Sequence, residues 1–266
     1  MTDAAPPVLS AHQVAVGFGD TPVLTKVDLT LQPQGLVAIV GPSGVGKSTL
    51  LRALAGLLPT LEGYVERPAQ ASPQARDSAM VFQSPRLLPW RRVLGNVELG
   101  LESLEIPRAE RRERARYHLE RVGLGDYTGR WPYSLSGGQQ QRVGLARAMA
   151  VEPRVLFMDE PFSALDAITR GRLQRSLITL RQETTAAIVF VTHDIEEATL
   201  LSDRIMVLGH YGDNHPAGVH TMVEVPLPGN DRRNHPDFRP IVESIERLMG
   251  DGPGSDIPRK RNTKHD

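Results

Sequence analysis

The part of the chain that decides the fold is residues 36–58, which read LVAIVGPSGVGKSTLLRALAGLL. Its first five residues are all apolar, which is typical of a strand that is buried on both faces of a parallel sheet. Residues 48–58 are rich in leucine and alanine, which predicts a helix. A strand, a glycine-rich turn and a helix in this order predict the first unit of an α/β fold.

The turn between this strand and this helix contains the pattern Gly-x-x-x-x-Gly-Lys-Ser. Its glycines allow backbone N–H groups to point inward around a phosphate, and the helix that follows adds the positive end of its dipole. Lys47 supplies charge for the β- and γ-phosphates, and the Ser48 hydroxyl is a suitable Mg²⁺ ligand. The turn therefore predicts a nucleoside triphosphate site made of Gly41, Ser43, Gly44, Gly46, Lys47, Ser48 and Thr49.

Three further apolar segments predict the other strands of an open parallel sheet: residues 155–158, 187–191 and 204–208. Such sheets bind ligands at the carboxyl ends of their strands, and polar residues follow two of these three segments. Asp159 is placed to hold Mg²⁺ through water, and Glu160 is placed to polarise an attacking water. The simpler alternative is that the two acids only end a strand. His193 follows another strand, where a histidine could also be a helix cap or a core residue.

Two adjacent glycines, Gly137 and Gly138, lie in residues 135–142, which read LSGGQQQR. This segment opens a helix that is predicted over 143–150. A hydroxyl, bare amides and a helix dipole attract anions. The segment has neither a lysine nor a following carboxylate, so by itself it is half of a phosphate site or only a structural turn.

These motifs together resemble the ATP-binding cassette proteins, because the Gly41–Thr49 loop, LSGGQ, Asp159-Glu160, Ser163–Asp166 and His193 occur in that family's order and rough spacing. The resemblance implies a head-to-tail homodimer. In it each ATP lies between the Lys47 loop of one subunit and Ser136, Gly137 and Gly138 of the other.

The resemblance also implies roles for single residues. Glu160 would be the general base, and His193 would contact the γ-phosphate and orient the water. Gln83 would meet Mg²⁺ and sense a permease, and Asp166 would link the two ATP sites. Phe18 would stack on adenine, unless its ring packs in the core.

The predicted fold is therefore a P-loop NTPase core of class α/β with a mainly parallel sheet, an N-terminal antiparallel β subdomain and an inserted α-helical subdomain. We expect an ATPase domain over 1–225, followed by an extension over 226–250 and a disordered tail over 251–266 that holds the basic run Arg259–Arg261. Within the ATPase domain, we expect antiparallel strands over 8–31, the core over 32–85 and 151–225, and the helical insert over 86–150.

One core with one insert resembles the stand-alone ATPase subunit of a bacterial importer. Such a subunit would bind transmembrane permease subunits at the inner face of the membrane and would depend indirectly on a solute-binding protein. Residues 87–90, LLPW, are similar to the nitrate, sulfonate and taurine branch, although Pro89-Trp90 could simply be a hydrophobic staple at a helix start. Arg91-Arg92 departs from that branch. The alternatives are a subunit for another solute, an exporter subunit and a cassette ATPase outside transport.

Composition excludes several other classes of protein. Lys+Arg and Asp+Glu are both 31, which argues against a nucleic-acid-coating surface, and the absence of cysteine excludes disulfides and thiolate chemistry. The start MTDAAPPVLS shows no secretory signal, and no apolar run is long enough to span a bilayer. After residue 208, glycine, proline and histidine residues suggest loops and an edge hairpin over 221–227, so His210, His215 and His220 are expected in a loop without a metal. Six arginines on a helix over 107–122 indicate a solvated face or, alternatively, a phosphate-facing stripe.

Overall fold

The computed structural model describes residues 5–67, 72–163, 165–210, 216–229 and 231–250. The strands are β1 (Leu9–Phe18), β2 (Thr21–Leu31), β3 (Leu36–Val40), β4 (Glu62–Glu66), β5 (Ser78–Val81), β6 (Val155–Asp159), β7 (Ala187–Val191), β8 (Arg204–His210) and β9 (Ala217–Glu224). The helices are α1 (Lys47–Leu54), α2 (Val93–Leu101), α3 (Arg108–Arg121), α4 (Gly137–Ala150), α5 (Ala167–Glu183), α6 (Ile195–Leu201) and α7 (Phe238–Gly250).

All nine of these strands form one sheet, in the order β4-β1-β2-β9-β8-β3-β7-β6-β5. From β8 to β5 every neighbouring pair is parallel, whereas β1 pairs antiparallel with β2 and β4. Between these two parts lies β9, which pairs antiparallel with β8 and contacts β2 through a single parallel pair, Leu24 with Ala217. The predicted α/β class, with a mainly parallel sheet and an antiparallel N-terminal part, is confirmed.

Burial on both faces explains why β3 has no polar position. Leu36, Ala38 and Val40 belong to the core cluster on one face of the sheet, together with the helices α2 to α7. Val37 and Ile39 belong to the cluster on the other face, which also contains leucines of α1. Alternate residues of β6 and β7 also belong to the two clusters. The loops that follow these strands therefore begin at a closely packed core.

Three strand assignments differ from the sequence-based expectation. β4 and β5 were not expected, since β4 is mostly exposed and β5 is short and only partly buried. An edge hairpin over 221–227 was expected, but β9 runs over 217–224 and lies inside the sheet, between β2 and β8. It pairs antiparallel with β8 along its length, so His210 and His220 lie in strands and not in a loop.

Two helices have different ends from those expected. α1 stops at Leu54 because Gly56 adopts a φ of 75°, and the Leu57 N–H bonds back to the Arg52 carbonyl at 2.8 Å. α4 begins six residues earlier than expected, at Gly137, because Ser136 caps it. Three of the six arginines of α3 are exposed and three are half-buried, whereas Ala115 and Leu119 face the core, which agrees with a solvated outer face.

Some expectations concern residues outside the described ranges: Ala164, His215 and the tail 251–266 with Arg259–Arg261. In the described part of the chain, no helix is both long and apolar enough to cross a membrane. The same residues include no group of three or more histidine and acidic side chains that could hold a metal ion.

His118 on α3 makes folding sensitive to acid. Its ring is buried, and this burial, together with the positive charges of Arg121 and Arg114, lowers its pKa to about 4. An unfolded chain protonates this histidine near pH 6.5, so the free energy of unfolding is fully retained above that pH and declines as the pH falls toward 4. We expect a loss of about 2 kcal/mol between pH 7.5 and 5 that is absent in His118→Gln.

Denaturant unfolding at the two pH values measures this loss. His12→Gln is the matched control, because the ring of His12 is 44% exposed at the sheet surface. If His118→Gln and the parent lose the same stability on acidification, the burial of His118 is not the cause.

Candidate active site

Adjacent strand ends bring the predicted motifs to one edge of the sheet. β7 lies between β3 and β6, and β5 is the outer neighbour of β6. The Lys47 loop follows β3, the Asp159-Glu160 pair ends β6, His193 follows β7, and Gln83 follows β5. Because these four strands are parallel, their carboxyl ends meet at the same edge, where open α/β sheets bind ligands.

The glycine loop holds Lys47 by its backbone. Lys47 is 7% exposed, and its ammonium donates to the carbonyls of Gly41 and Pro42 at 2.8 and 2.9 Å. Burial lowers the pKa of Lys47, while the nearby charges of Glu160 and Asp159 act in the opposite direction. The ammonium therefore lies close to both acids of the site.

Glycine is required at position 46 of this loop. Gly46 has a φ of 103°, and a Cβ there would lie 2.9 Å from side-chain atoms of Val23 and Leu24 on β2. The loop thus packs directly on the antiparallel part of the sheet. Ser43 and Gly44 are exposed and Thr49 is buried, so the outer half of the loop faces solvent.

Ser48 and Asp159 form the link between the glycine loop and β6. The Ser48 hydroxyl donates to Asp159 Oδ1 at 2.6 Å, and Arg52 lies 3.2 Å from the other carboxylate oxygen. Asp159 is 4% exposed, so these contacts compensate for its burial. The Ser48 hydroxyl and the Asp159 carboxylate thus place two oxygen ligands close together beside the phosphate-binding loop. This arrangement fits Mg²⁺, which takes few protein ligands and completes its coordination shell with phosphate and water.

Glu160 lies at the centre of the remaining polar residues. Gln83 Nε2 donates to Glu160 Oε2 at 3.1 Å, and His193 Nδ1 lies 3.7 Å from the same oxygen. Glu160 also has a φ of 44°, a left-handed conformation that is unfavourable for a non-glycine residue. Its N–H bonds to the Val191 carbonyl at 3.1 Å, which holds the residue in that conformation.

A buried network that the sequence reasoning missed fixes the turn that carries His193. Glu197 is 4% exposed, and its carboxylate accepts from the Thr192 hydroxyl at 2.6 Å and from Gln174 Nε2 at 3.0 Å. Burial raises the pKa of Glu197, and the two donors oppose that rise. Asp194 caps α6 by accepting from the Glu197 N–H at 3.0 Å. The pattern Thr-His-Asp-x-x-Glu was visible in the sequence, although the partner Gln174 was not.

The start of α4 is built as a capping box. The Ser136 hydroxyl accepts from the Gln139 N–H at 3.3 Å, and Gln139 Oε1 accepts from the Ser136 N–H at 2.9 Å. The hydroxyl proton of Ser136 remains available to an anion. Within the described residues, no hydrogen bond or ion pair joins Ser136, Gly137 or Gly138 to the Lys47 loop.

Asp166 and Phe18 lie away from this cluster. Asp166 caps α5, where its carboxylate accepts from the Ile168 and Thr169 N–H groups at 3.1 and 3.0 Å. A hydrogen bond from the Thr169 side chain, together with these N–H donors, lowers the pKa of Asp166. Phe18 ends β1 with its ring 70% exposed, which excludes the core-packing alternative.

Residues 87–90, LLPW, end in an exposed tryptophan. Trp90 is 71% exposed, so it does not act as a buried staple for α2. Arg91 pairs with Glu102, and Arg92 stacks over the Trp131 ring at 4.7 Å. The two arginines are therefore held at the protein surface beside Trp90.

Comparison with known proteins shows the family of this chain. Residues 24–163 match the family described as ABC transporter. The aliphatic sulfonates import ATP-binding protein SsuB 2 of Frankia alni is 50% identical over 191 residues, covering 72% of this chain and 73% of that protein. SsuB 1 of Pseudomonas fluorescens is 42% identical over 242 residues, with coverages of 91% and 86%.

A solved structure shows the same fold. A dimeric ATP-binding cassette in a post-hydrolysis state with ADP and phosphate is 30% identical, with a TM-score of 0.69, covering 82% of this chain and 98% of that one. The chain therefore belongs to the ABC transporter family and is an ATPase of that family.

The two glycines at the start of α4 differ in their surroundings, which gives a paired test. A Cβ at position 138 would lie 2.2 Å from Thr169 Cγ2 on α5, whereas a Cβ at position 137 would meet nothing within 4 Å. We expect Gly138→Ala to lower the free energy of unfolding by about 1–3 kcal/mol. Gly137→Ala should leave it nearly unchanged.

Denaturant unfolding of the two variants provides the measurement. Adding Thr169→Ser, which removes the opposing methyl group, should restore most of the stability of Gly138→Ala. Equal stability of the two alanine variants would mean that α4 does not pack on α5 at this glycine.

Proposed function

We propose that this chain hydrolyses ATP to drive an importer for a sulfonate-like anionic solute. The single observation that carries the ATPase part is the position of Glu160. Its carboxylate lies within 3.7 Å of His193 and 3.1 Å of Gln83, one residue after the Asp159 that binds Ser48.

The Lys47 loop would hold the phosphates of ATP. Lys47 would exchange its bonds to the loop carbonyls for phosphate oxygens, and backbone amides from Gly41 to Thr49 would surround the β-phosphate. Ser48 and Asp159 would hold Mg²⁺, with the Gln83 amide oxygen as a further candidate ligand. When bound, Mg²⁺ neutralises charge on the β- and γ-phosphates.

Glu160 would act as the general base toward an attacking water. Gln83 keeps the carboxylate in place by donating to Oε2, and His193, which lies 3.7 Å from the same oxygen, would contact the γ-phosphate and orient the water. Most of the rate would come from positioning and charge stabilisation, because phosphoryl transfer needs little covalent help from the protein.

Two copies would complete each ATP site. Ser136, Gly137 and Gly138 offer a free hydroxyl proton, open space and a helix N-terminus, yet they form no bond to the Lys47 loop of their own chain within the described residues. We propose that they bind the γ-phosphate of ATP held by a second copy. Phe18 would stack on adenine, and Asp166 would lie near the boundary between the copies.

The permease would bind near Trp90. An indole ring that is 71% exposed, a few residues after Gln83, is suited to burial in an interface. This contact would connect a membrane partner to the site through Gln83, and it would place the subunit at the inner face of the membrane. A solute-binding protein would act through the permease.

The relatives support the solute class. Besides the two sulfonate import subunits, the taurine import ATP-binding protein TauB of Rhizobium johnstonii is 45% identical over 186 residues, covering 70% of this chain and 71% of that protein. Taurine is itself a sulfonate, so these names agree on the chemistry of the solute. The main alternative is an importer for another solute.

Replacement of Glu160 by Gln tests the proposal. The change keeps shape and hydrogen bonding but removes the base, so we expect at least about a 100-fold loss of ATPase rate with ATP affinity retained. Assembled with its permease and binding protein in vesicles, the parent should drive uptake of radiolabelled taurine, and Glu160→Gln should not.

Glu152→Gln is the matched control, since Glu152 is an exposed acid outside the site. Glu160→Gln with the parent rate of ATP hydrolysis would contradict the role of Glu160. Uptake of an amino acid without a sulfonate, in place of taurine, would contradict the solute class and leave the ATPase assignment intact.

A further inference from the structure

A crevice of about 390 Å³ opens between α3, α4 and α5. It lies beside the C-terminal half of α4, whereas Ser136 and the two glycines stand at the other end of that helix. Leu145, Ala146 and Met149 of α4 line it. The active-site residues described above do not line this crevice, so its chemistry requires its own explanation.

Guanidinium groups surround the opening of the crevice. Arg142 lies on α4, Arg172 and Arg175 lie on α5, and Arg121 lies at the end of α3. Glu120 is the one acidic residue among the lining residues, in a chain whose net charge is +0. Positive charge is therefore concentrated at this crevice, and acidic residues elsewhere in the chain balance it.

Three of these arginines lack an anionic partner. Among the described residues, the guanidinium groups of Arg172 and Arg175 form no hydrogen bond or ion pair. Arg142 donates only from Nη1, to the Val122 carbonyl at 3.0 Å, and its buried Nε has no partner in the described part of the chain. Buried donors are normally satisfied, so the described part of the chain satisfies the guanidinium of Arg142 only in part.

The arginines also repel one another. Burial lowers the pKa of Arg142, and the charge of Arg172 lowers it further. A cluster that stabilised only the fold would be expected to include acids between the arginines. Glu120 alone does not balance the arginines that line this crevice, and such an excess of positive charge is typical of a site that binds a ligand of opposite charge.

We propose that this crevice binds a small soluble organic phosphate with at least two negative charges. Arginine forks match phosphate oxygens in a bidentate way, and three forks from two helices suit a multivalent anion better than a single carboxylate. The volume exceeds that of inorganic phosphate, and the apolar wall formed by Leu145 and Met149 suits the carbon skeleton of an organic molecule.

Such a ligand would join two functional helices. α4 starts at the capped Ser136, and α5 starts at Asp166, which is itself a cap. An anion that bridges Arg142 to Arg172 and Arg175 would hold α4 against α5. Because both helix starts carry proposed ATP-site residues, the ligand would influence the ATPase without entering the ATP site.

Calorimetric titration of fructose 1,6-bisphosphate into the full chain tests the proposal. The chain is first saturated with ADP and Mg²⁺, so that the Lys47 loop is occupied and does not contribute to the signal. We expect binding to the parent chain and at least a tenfold loss of affinity in the double variant R172Q/R175Q. Both arginines are exposed, so the variant should fold, and its ADP affinity verifies that it does.

The control R108Q/R112Q removes the same charge from the exposed face of α3, away from the crevice. It should bind the bisphosphate like the parent. No binding to the parent, no loss in R172Q/R175Q, or an equal loss in the control would each overturn the proposal. A tetraglutamate peptide that binds through the same arginines while the bisphosphate does not would overturn the ligand class. None of these outcomes depends on Glu160 or on the transported solute.

Discussion

The hydrogen bond between Ser48 and Asp159 is the constraint on which the site depends. It joins the start of α1 to the end of β6, two elements that are far apart in sequence, at 2.6 Å. The parallel pairing of β3, β7 and β6 makes this contact possible, since it places their carboxyl ends side by side. Because Glu160 directly follows Asp159 in the chain, the fixed position of Asp159 also places Glu160 at this edge of the sheet. Its left-handed backbone turns it away from the strand direction, and Gln83 and His193 both lie near one oxygen of its carboxylate, Oε2.

We propose that the same geometry leaves the ATP site incomplete within one chain. The Lys47 loop, both acids and His193 belong to one edge of the sheet, whereas Ser136 and the two glycines stand at the start of α4. Gly138 packs tightly on α5 and Gly137 faces open space, so this helix start is rigid at its base and accessible at its tip. A rigid, accessible helix N-terminus is suited to an anion supplied from outside. That combination supports the proposed two-copy arrangement, and the crevice at the other end of α4 would act on the same helix.

Much of the fold and site could be predicted from the sequence because the decisive patterns are local. The apolar runs of β3, β6 and β7 and the glycine loop each specify their own structure, and the order of the motifs identified the family. β4, β5 and the position of β9 could not be predicted, because their strands depend on neighbours and not on their own apolar pattern. The Glu197 network and the crevice were missed for a similar reason: Gln174 meets Glu197, and Arg142 meets Arg172, only after the helices have packed. The six arginines of α3 were noted in the sequence, but of these only Arg121 lines the crevice.

The central claim is that one copy supplies Lys47 and the other supplies Gly137 to the same ATP. The most direct measurement is the structure of Glu160→Gln with Mg²⁺ and ATP. The account predicts two ATP molecules between two copies, with the Gly137 N–H of each copy about 3 Å from a γ-phosphate oxygen of the ATP bound by the other copy. A triphosphate enclosed by a single chain, with Gly137 far from any γ-phosphate oxygen, would contradict it.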